Sequence, residues 1–113
     1  MVSKYNIAFP LYVRLDDGEV MQIESFERIL HHLEAIDIEN NEYRFWDADG
    51  QGLKVLVEND DVSGFQQVEN EMTLSKAFLE YAKQLGVWID ASGTPNEIWA
   101  RLHKARGSTR NLR

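Results

Sequence analysis

Residues 5–15 alternate in character: Tyr5, Ile7, Phe9, Leu11, Val13 and Leu15 are apolar, with Asn6, Ala8, Pro10, Tyr12 and Arg14 between them. A period of two over such a stretch describes an extended strand with one buried face. Asp16-Asp17-Gly18 follows with the chemistry of a hairpin turn, and Val20-Met21-Gln22-Ile23 reads as the returning strand. A short hairpin joins only antiparallel strands, so this opening commits the chain to an antiparallel sheet. Pro10 has no N–H to give to a ladder, which predicts that the first strand lies at a sheet edge or is bulged there. An edge strand would also give the chain a route to a homodimer.

Helical spacing comes next. Ser25 is placed to cap a helix whose apolar side is Phe26, Ile29, Leu30, Leu33 and Ile36, with Glu39-Asn40-Asn41 as its end. Tyr43-Arg44-Phe45-Trp46 and Leu53-Lys54-Val55-Leu56-Val57 predict a second hairpin around an Asp47–Gly52 turn. Residues 62–70 fit either a fifth strand or an irregular connection. Thr73 caps a second helix with Leu74, Ala77, Phe78, Tyr81, Ala82 and Leu85 on one face, and Gly86 sits at its C′ position. Val87-Trp88-Ile89 is a short apolar run, a strand or a packed connection. Thr94-Pro95-Asn96-Glu97 combines an N-cap threonine, a proline at N1 and a glutamate at N3. It opens a third helix carrying Ile98, Trp99, Leu102 and Ala105, which Gly107 is expected to end.

The expected fold is α+β: an antiparallel sheet of four to five strands, made of two β-hairpins, with three helices packed on one face in the order ββαββαα. One domain is expected over residues 1–106, followed by a flexible basic tail over 107–113. No internal repeat or low-complexity segment divides the chain.

Composition removes several chemistries. Without cysteine there is no disulfide, no cysteine-ligated zinc or iron–sulfur site and no thiol nucleophile. Apolar runs are too short for a membrane-spanning helix, and residues 1–6 lack the apolar core of a secretory signal, so the expected compartment is the cytoplasm. Neither a P-loop nor a dinucleotide-binding fingerprint occurs, and no cofactor is expected.

Charge is distributed unevenly. The chain carries a net −7, but residues 1–97 hold all 19 acidic and 7 basic side chains, a net of −12. Residues 98–113 hold Arg101, Lys104, Arg106, Arg110 and Arg113 and no acid. An acidic body repels a phosphate backbone, which argues against nucleic acid as a partner. It favours a basic protein partner instead. The tail residues Arg106, Arg110 and Arg113 could form a local contact arm, or could simply complement the helix C-terminus.

Candidate sites are few. Glu27, His31 and Glu34 fall at i, i+4 and i+7 of the first predicted helix and so share a side, with His32 adjacent. That set is a weak metal cluster, because no H-E-x-x-H pattern accompanies it. Asp47-Ala48-Asp49-Gly50 is no EF-hand: with Gly50 at position six, Phe45 and Leu56 occupy ligand positions and cannot bind calcium. The carboxylate pairs Asp16/Asp17, Asp47/Asp49 and Asp60/Asp61 read as solvated turns. No serine lies in a nucleophile elbow, and no histidine has a motif partner. No catalytic residue is assigned.

Alternation leaves Tyr12, Arg14, Arg44 and Trp46 off the first core face, where they would form an exposed interaction patch unless a helix covers that side too. The sequence therefore reads as a small acidic cytoplasmic protein-interaction module without catalytic activity, masking a basic partner. The alternative is a small enzyme or metal-binding protein built on the His31/His32 helix.

Overall fold

A computed structural model describes residues 7–111, with side chains through Arg106. Tyr5 and Arg113 lie outside the described residues, as do the side chains of the expected basic tail from 107 on, Arg110 included.

The two predicted hairpins form, and a third accompanies them. β1 (Leu11–Arg14) and β2 (Val20–Ile23) pair antiparallel through the Asp16–Gly18 turn. β3 (Arg44–Trp46), β4 (Gly52–Glu58) and β5 (Asp61–Gln67) form a meander. The uncertain stretch 62–70 is thus mostly strand. Its hairpin turns on Asn59 and Asp60, whose φ angles of 54° and 62° are the left-handed pair that a tight two-residue turn needs. Asp47 shapes the β3–β4 turn: its Oδ1 accepts from the N–H of Asp49 (2.9 Å) and of Gln51 (3.0 Å).

All strands join one antiparallel sheet in the order β2-β1-β3-β4-β5. This corrects the expectation for the first strand. β1 is internal, paired with β2 on one side and β3 on the other, and Pro10 stands just before it, where no ladder bond is lost. The edges are β2 and β5, so any edge-strand dimer would not use β1.

Helices pack on the sheet, as the α+β class requires, but on both faces rather than one. Leu11, Val13, Ile23, Phe45, Leu53, Val55, Val62 and Phe65 point to one side and are covered by Ile29, Leu33 and Ile38. Tyr12, Val20 and Trp46 point to the other, beneath Leu74, Phe78, Tyr81, Ile98 and Leu102. The strand period of two forces this outcome: β1 and β3 carry large apolar or aromatic residues on both faces, so both need a cover.

The first predicted helix is broken. A single 3-10 turn (Phe26–Arg28) leads into α1 (Ile29–His32), and α2 (Ala35–Glu39) follows a gap. Leu33 (φ −129°, ψ 147°) and Glu34 (φ −89°, ψ 138°) are extended, a conformation that lets both Leu33 and Ile38 reach the core and leaves Ile36 exposed. Ser25 makes no side-chain cap.

α3 (Leu74–Leu85) has the predicted ends. Thr73 Oγ1 accepts from the Lys76 N–H (3.2 Å), and Gly86 adopts φ 73° as the left-handed stop. α4 (Pro95–Asn111) opens with the reciprocal capping box. Thr94 Oγ1 accepts from the Glu97 N–H at 3.3 Å, and Glu97 Oε1 accepts from the Thr94 N–H at 2.8 Å. Gly107 does not end this helix, which continues to Asn111. Val87-Trp88-Ile89 is not a strand. Among the described residues, no helix is long and apolar enough to cross a membrane.

Two outcomes are expected. Trp46→Ala empties a site that is 1% exposed and should lower unfolding free energy by about 3–5 kcal/mol, read by urea denaturation. Thr94→Ala removes half of the capping box and should lower it by about 1 kcal/mol in the same assay.

Candidate interaction surface

Tyr12, Arg14, Arg44 and Trp46 do share a face of the sheet, but it is not an exposed patch. Tyr12 is 0% and Trp46 1% exposed. Tyr12 and Trp46 are direct cross-strand partners, and the Tyr12 ring meets Phe78 edge-on at 5.4 Å and Trp99 at 6.0 Å. Burial pushes the Tyr12 phenol up, although its oxygen accepts from Gln22 Nε2 at 3.2 Å. The helices that bury these rings are α3 and α4. Arg14 and Arg44 lie at the margin of that cover, each half-buried. Arg44 Nε donates to Glu71 Oε1 at 2.8 Å, and its Nη1 donates to the carbonyls of Asn41 (2.9 Å) and Tyr43 (3.1 Å).

The proposed metal set is likewise taken apart. Glu27, His31 and Glu34 no longer share one helix, because the 3-10 turn precedes α1 and the extended Leu33–Glu34 follows it. Among the described residues, no three His, Asp or Glu side chains come together as metal ligands. His31 and His32 are both exposed. His103, the third histidine, stacks on Trp99 at 6.1 Å. Arg106 is half-buried, close enough to Tyr81 to act on its phenol.

Strand direction gathers acidic segments that are far apart in sequence. β1 ends, β2 begins, β3 begins, β4 ends and β5 begins at the same end of the sheet. That end therefore holds Asp16 and Asp17 of the first turn, Glu42 before β3, and Glu58, Asp60 and Asp61 of the β4–β5 turn. Glu34 and Asp37 join them through their action on Tyr43. Among the described residues, Arg44–Glu71 is the only ion pair, so these carboxylates are not neutralised by direct partners. Arg106 reaches the same end from the α4 side, where it opposes the effect of Glu19 and Asp17 on Tyr81.

The crowding has a local signature. Asp37, and more weakly Asp16, hold the Glu42 carboxyl above its ordinary value. The Tyr43 hydroxyl donates to Asp37 Oδ2 at 3.2 Å, and its pKa is pushed up to about 12, first by burial and then by the Asp37 charge.

One large aromatic stands in the open. Trp88 is 82% exposed on the connection between α3 and α4. Gln84 Nε2 donates to the Asp17 carbonyl at 3.0 Å, which brings the end of α3 to the acidic end of the sheet, and Trp88 emerges just beyond it. The run Val87-Trp88-Ile89 contained the clue: with Ile89 buried, an extended stretch turns its middle residue outward.

The chain matches no family model, no curated protein and no solved structure. What the surface itself offers is carboxylates on turns that share one end of the sheet, and an exposed indole at Trp88.

A raised acid holds its proton more tightly in the folded than in the unfolded chain. Glu42 thus favours folding below its unfolded pKa, and that contribution is lost as pH rises through its higher folded value. Asp37→Asn should bring the Glu42 carboxyl and the Tyr43 phenol back down. Carboxyl-carbon NMR reads the first and ultraviolet titration the second. An unmoved Glu42 would mean that Asp37 is not its main neighbour.

Proposed function

We propose that this protein is a small acidic protein-interaction module without catalytic activity, and that it masks a basic partner. The observation that carries the reading is the convergence of the three acidic turns at one end of the sheet. Dispersed acids would only keep a protein soluble. Acids gathered on turns that share one end produce a local field that steers a basic surface and speeds its association.

Trp88 supports the same reading. Tryptophan is a common hot-spot residue at protein interfaces, and burying an indole that stands in water favours association. The cytoplasm is the compartment in which we place this activity, in keeping with apolar runs too short to span a membrane. Self-association through an edge strand is the second element of the reading. β5 suits it better than β2, being 7 residues long against 4.

The test is a partner capture from the native host's lysate at low and high salt, using wild type and two variants. Asp16→Lys with Glu58→Lys reverses two exposed charges on separate turns and should abolish a salt-sensitive basic partner. Trp88→Ala should weaken the same partner by roughly tenfold or more. A partner that ignores both salt and the charge reversal would overturn the masking role. Concentration-dependent sedimentation that persists at high salt would instead assign the surface to self-association.

A further inference from the structure

β5 ends the sheet order at one side, and among the described residues no strand pairs with its outer edge. Which backbone groups face that edge follows from the ladder. The Val68 N–H donates to the Gly52 carbonyl at 3.0 Å, so Val68 bonds toward β4. Residues of an antiparallel strand alternate in this respect. Gly64 and Gln66 therefore turn their N–H and C=O toward β4, and Phe65 and Gln67 turn theirs outward. Ser63 is the extra residue of a bulge, since Leu56 pairs with Gly64 and Val57 with Val62. The regular run at the edge is thus residues 64–67.

Exposed edges are ordinarily guarded by lysine, proline or a bulge. β5 contains neither lysine nor proline, and its bulge guards only the half that begins at Asp61. Apolar surface lies alongside the unguarded half. The Phe65 ring meets Phe9 at 6.4 Å and Phe26 at 6.2 Å, both edge-on, and Phe9 and Phe26 are half-buried. On the opposite face Leu56 is exposed, and its partner Gly64 has no side chain, which lets another backbone come close.

Charge selects the occupant. Glu58, Asp60 and Asp61 stand exposed at the start of β5, and Glu69 stands exposed just past its end. β5 itself carries no cation. Lys54 of β4, opposite Gln66, is set against these acids by register, and Glu71 is already engaged by Arg44. A second copy would bring the same carboxylates to the same edge. A strand with cations at its ends would be attracted at both.

We propose that the outer edge of β5 docks an extended, lysine- or arginine-bearing segment of the basic partner, which joins the sheet as one further strand. This site rests on the masking role proposed above and adds how the partner is held. Carboxylates attract the segment, and main-chain bonds to Phe65 and Gln67 fix it, as in other cases of strand addition. Its side chains on the Phe9 and Phe26 side are apolar, and its cations lie toward its two ends.

The test uses the isotope-labelled full chain and two synthetic peptides, each a valine–threonine repeat with lysines at both ends. One has an ordinary backbone. The other is N-methylated throughout the repeat, which keeps its charge and removes its N–H groups. Amide hydrogen exchange of Phe65 and Gln67 should slow by roughly tenfold or more with the first peptide and stay unchanged with the second. Gln67→Pro removes an outward N–H without breaking a bond to β4, so it should leave urea unfolding nearly unchanged and weaken the first peptide by roughly tenfold. Binding of neither peptide, equal binding of both, or binding that Gln67→Pro does not weaken would overturn the β5 site and leave the masking role standing. Protection of Phe65 and Gln67 that grows with protein concentration in the absence of peptide would assign the edge to a second copy, which also overturns it. The masking role itself falls only if the captured partner ignores salt and charge reversal.

Discussion

The fold depends on the packing of Tyr12 against Trp46, Phe78 and Trp99. These rings face away from the core that Leu11, Val13 and Phe45 build, so β1 and β3 are apolar on both sides. A sheet whose central strands are apolar on both sides is stable only when both sides are covered. α1 and α2 close one layer, and α3 and α4 close the other. The internal place of β1 follows from the same requirement, because a strand buried on both faces gains most when neighbours also satisfy both its edges.

Cover on the second face is incomplete. The apolar cluster under α3 and α4 draws on β1, β2 and β3 but on no residue of β4 or β5. Lys54, Leu56 and Gln66 on that side are exposed as a result. The boundary between covered and bare sheet runs past Arg14 and Arg44, where guanidinium groups bury their stems beside the aromatic core and keep their heads near Glu71. Arg14 and Arg44 thus occupy the seam at which the helical layer gives out.

The antiparallel order also sorts charge. With apolar residues consumed by two cores, carboxylates are left to the turns, and antiparallel neighbours bring alternate turns to the same end. Three turns meet at one end in this topology, and there Asp37, with Asp16 behind it, holds the Glu42 carboxyl above its ordinary value. Arg106 of α4 acts on the other side of that end, where it lowers the Tyr81 phenol against Glu19 and Asp17.

Much of the local structure was legible in the residues. The β1–β2 hairpin, the Thr73 and Thr94 caps, the Gly86 stop and the Asp47 turn each depend on groups only a few positions apart, and such interactions form in nearly the same way wherever the segment sits. The shared face of Tyr12, Arg14, Arg44 and Trp46 was legible too, since strand alternation is a local property. What covers that face was not, because the answer lies in α3 and α4, more than fifty residues downstream of β1. The break at Leu33 was hidden for the same reason: helical spacing ran on through it, and only the position of the core shows why Leu33 leaves the helix. By itself, then, the sequence determined the first two hairpins, the start of the last two helices with their threonine caps, and the acidity of the body. The tertiary structure alone decided that both faces were core, which strands were edges, and that acids from three turns would share one end, since each of those facts depends on contacts between residues that are distant along the chain.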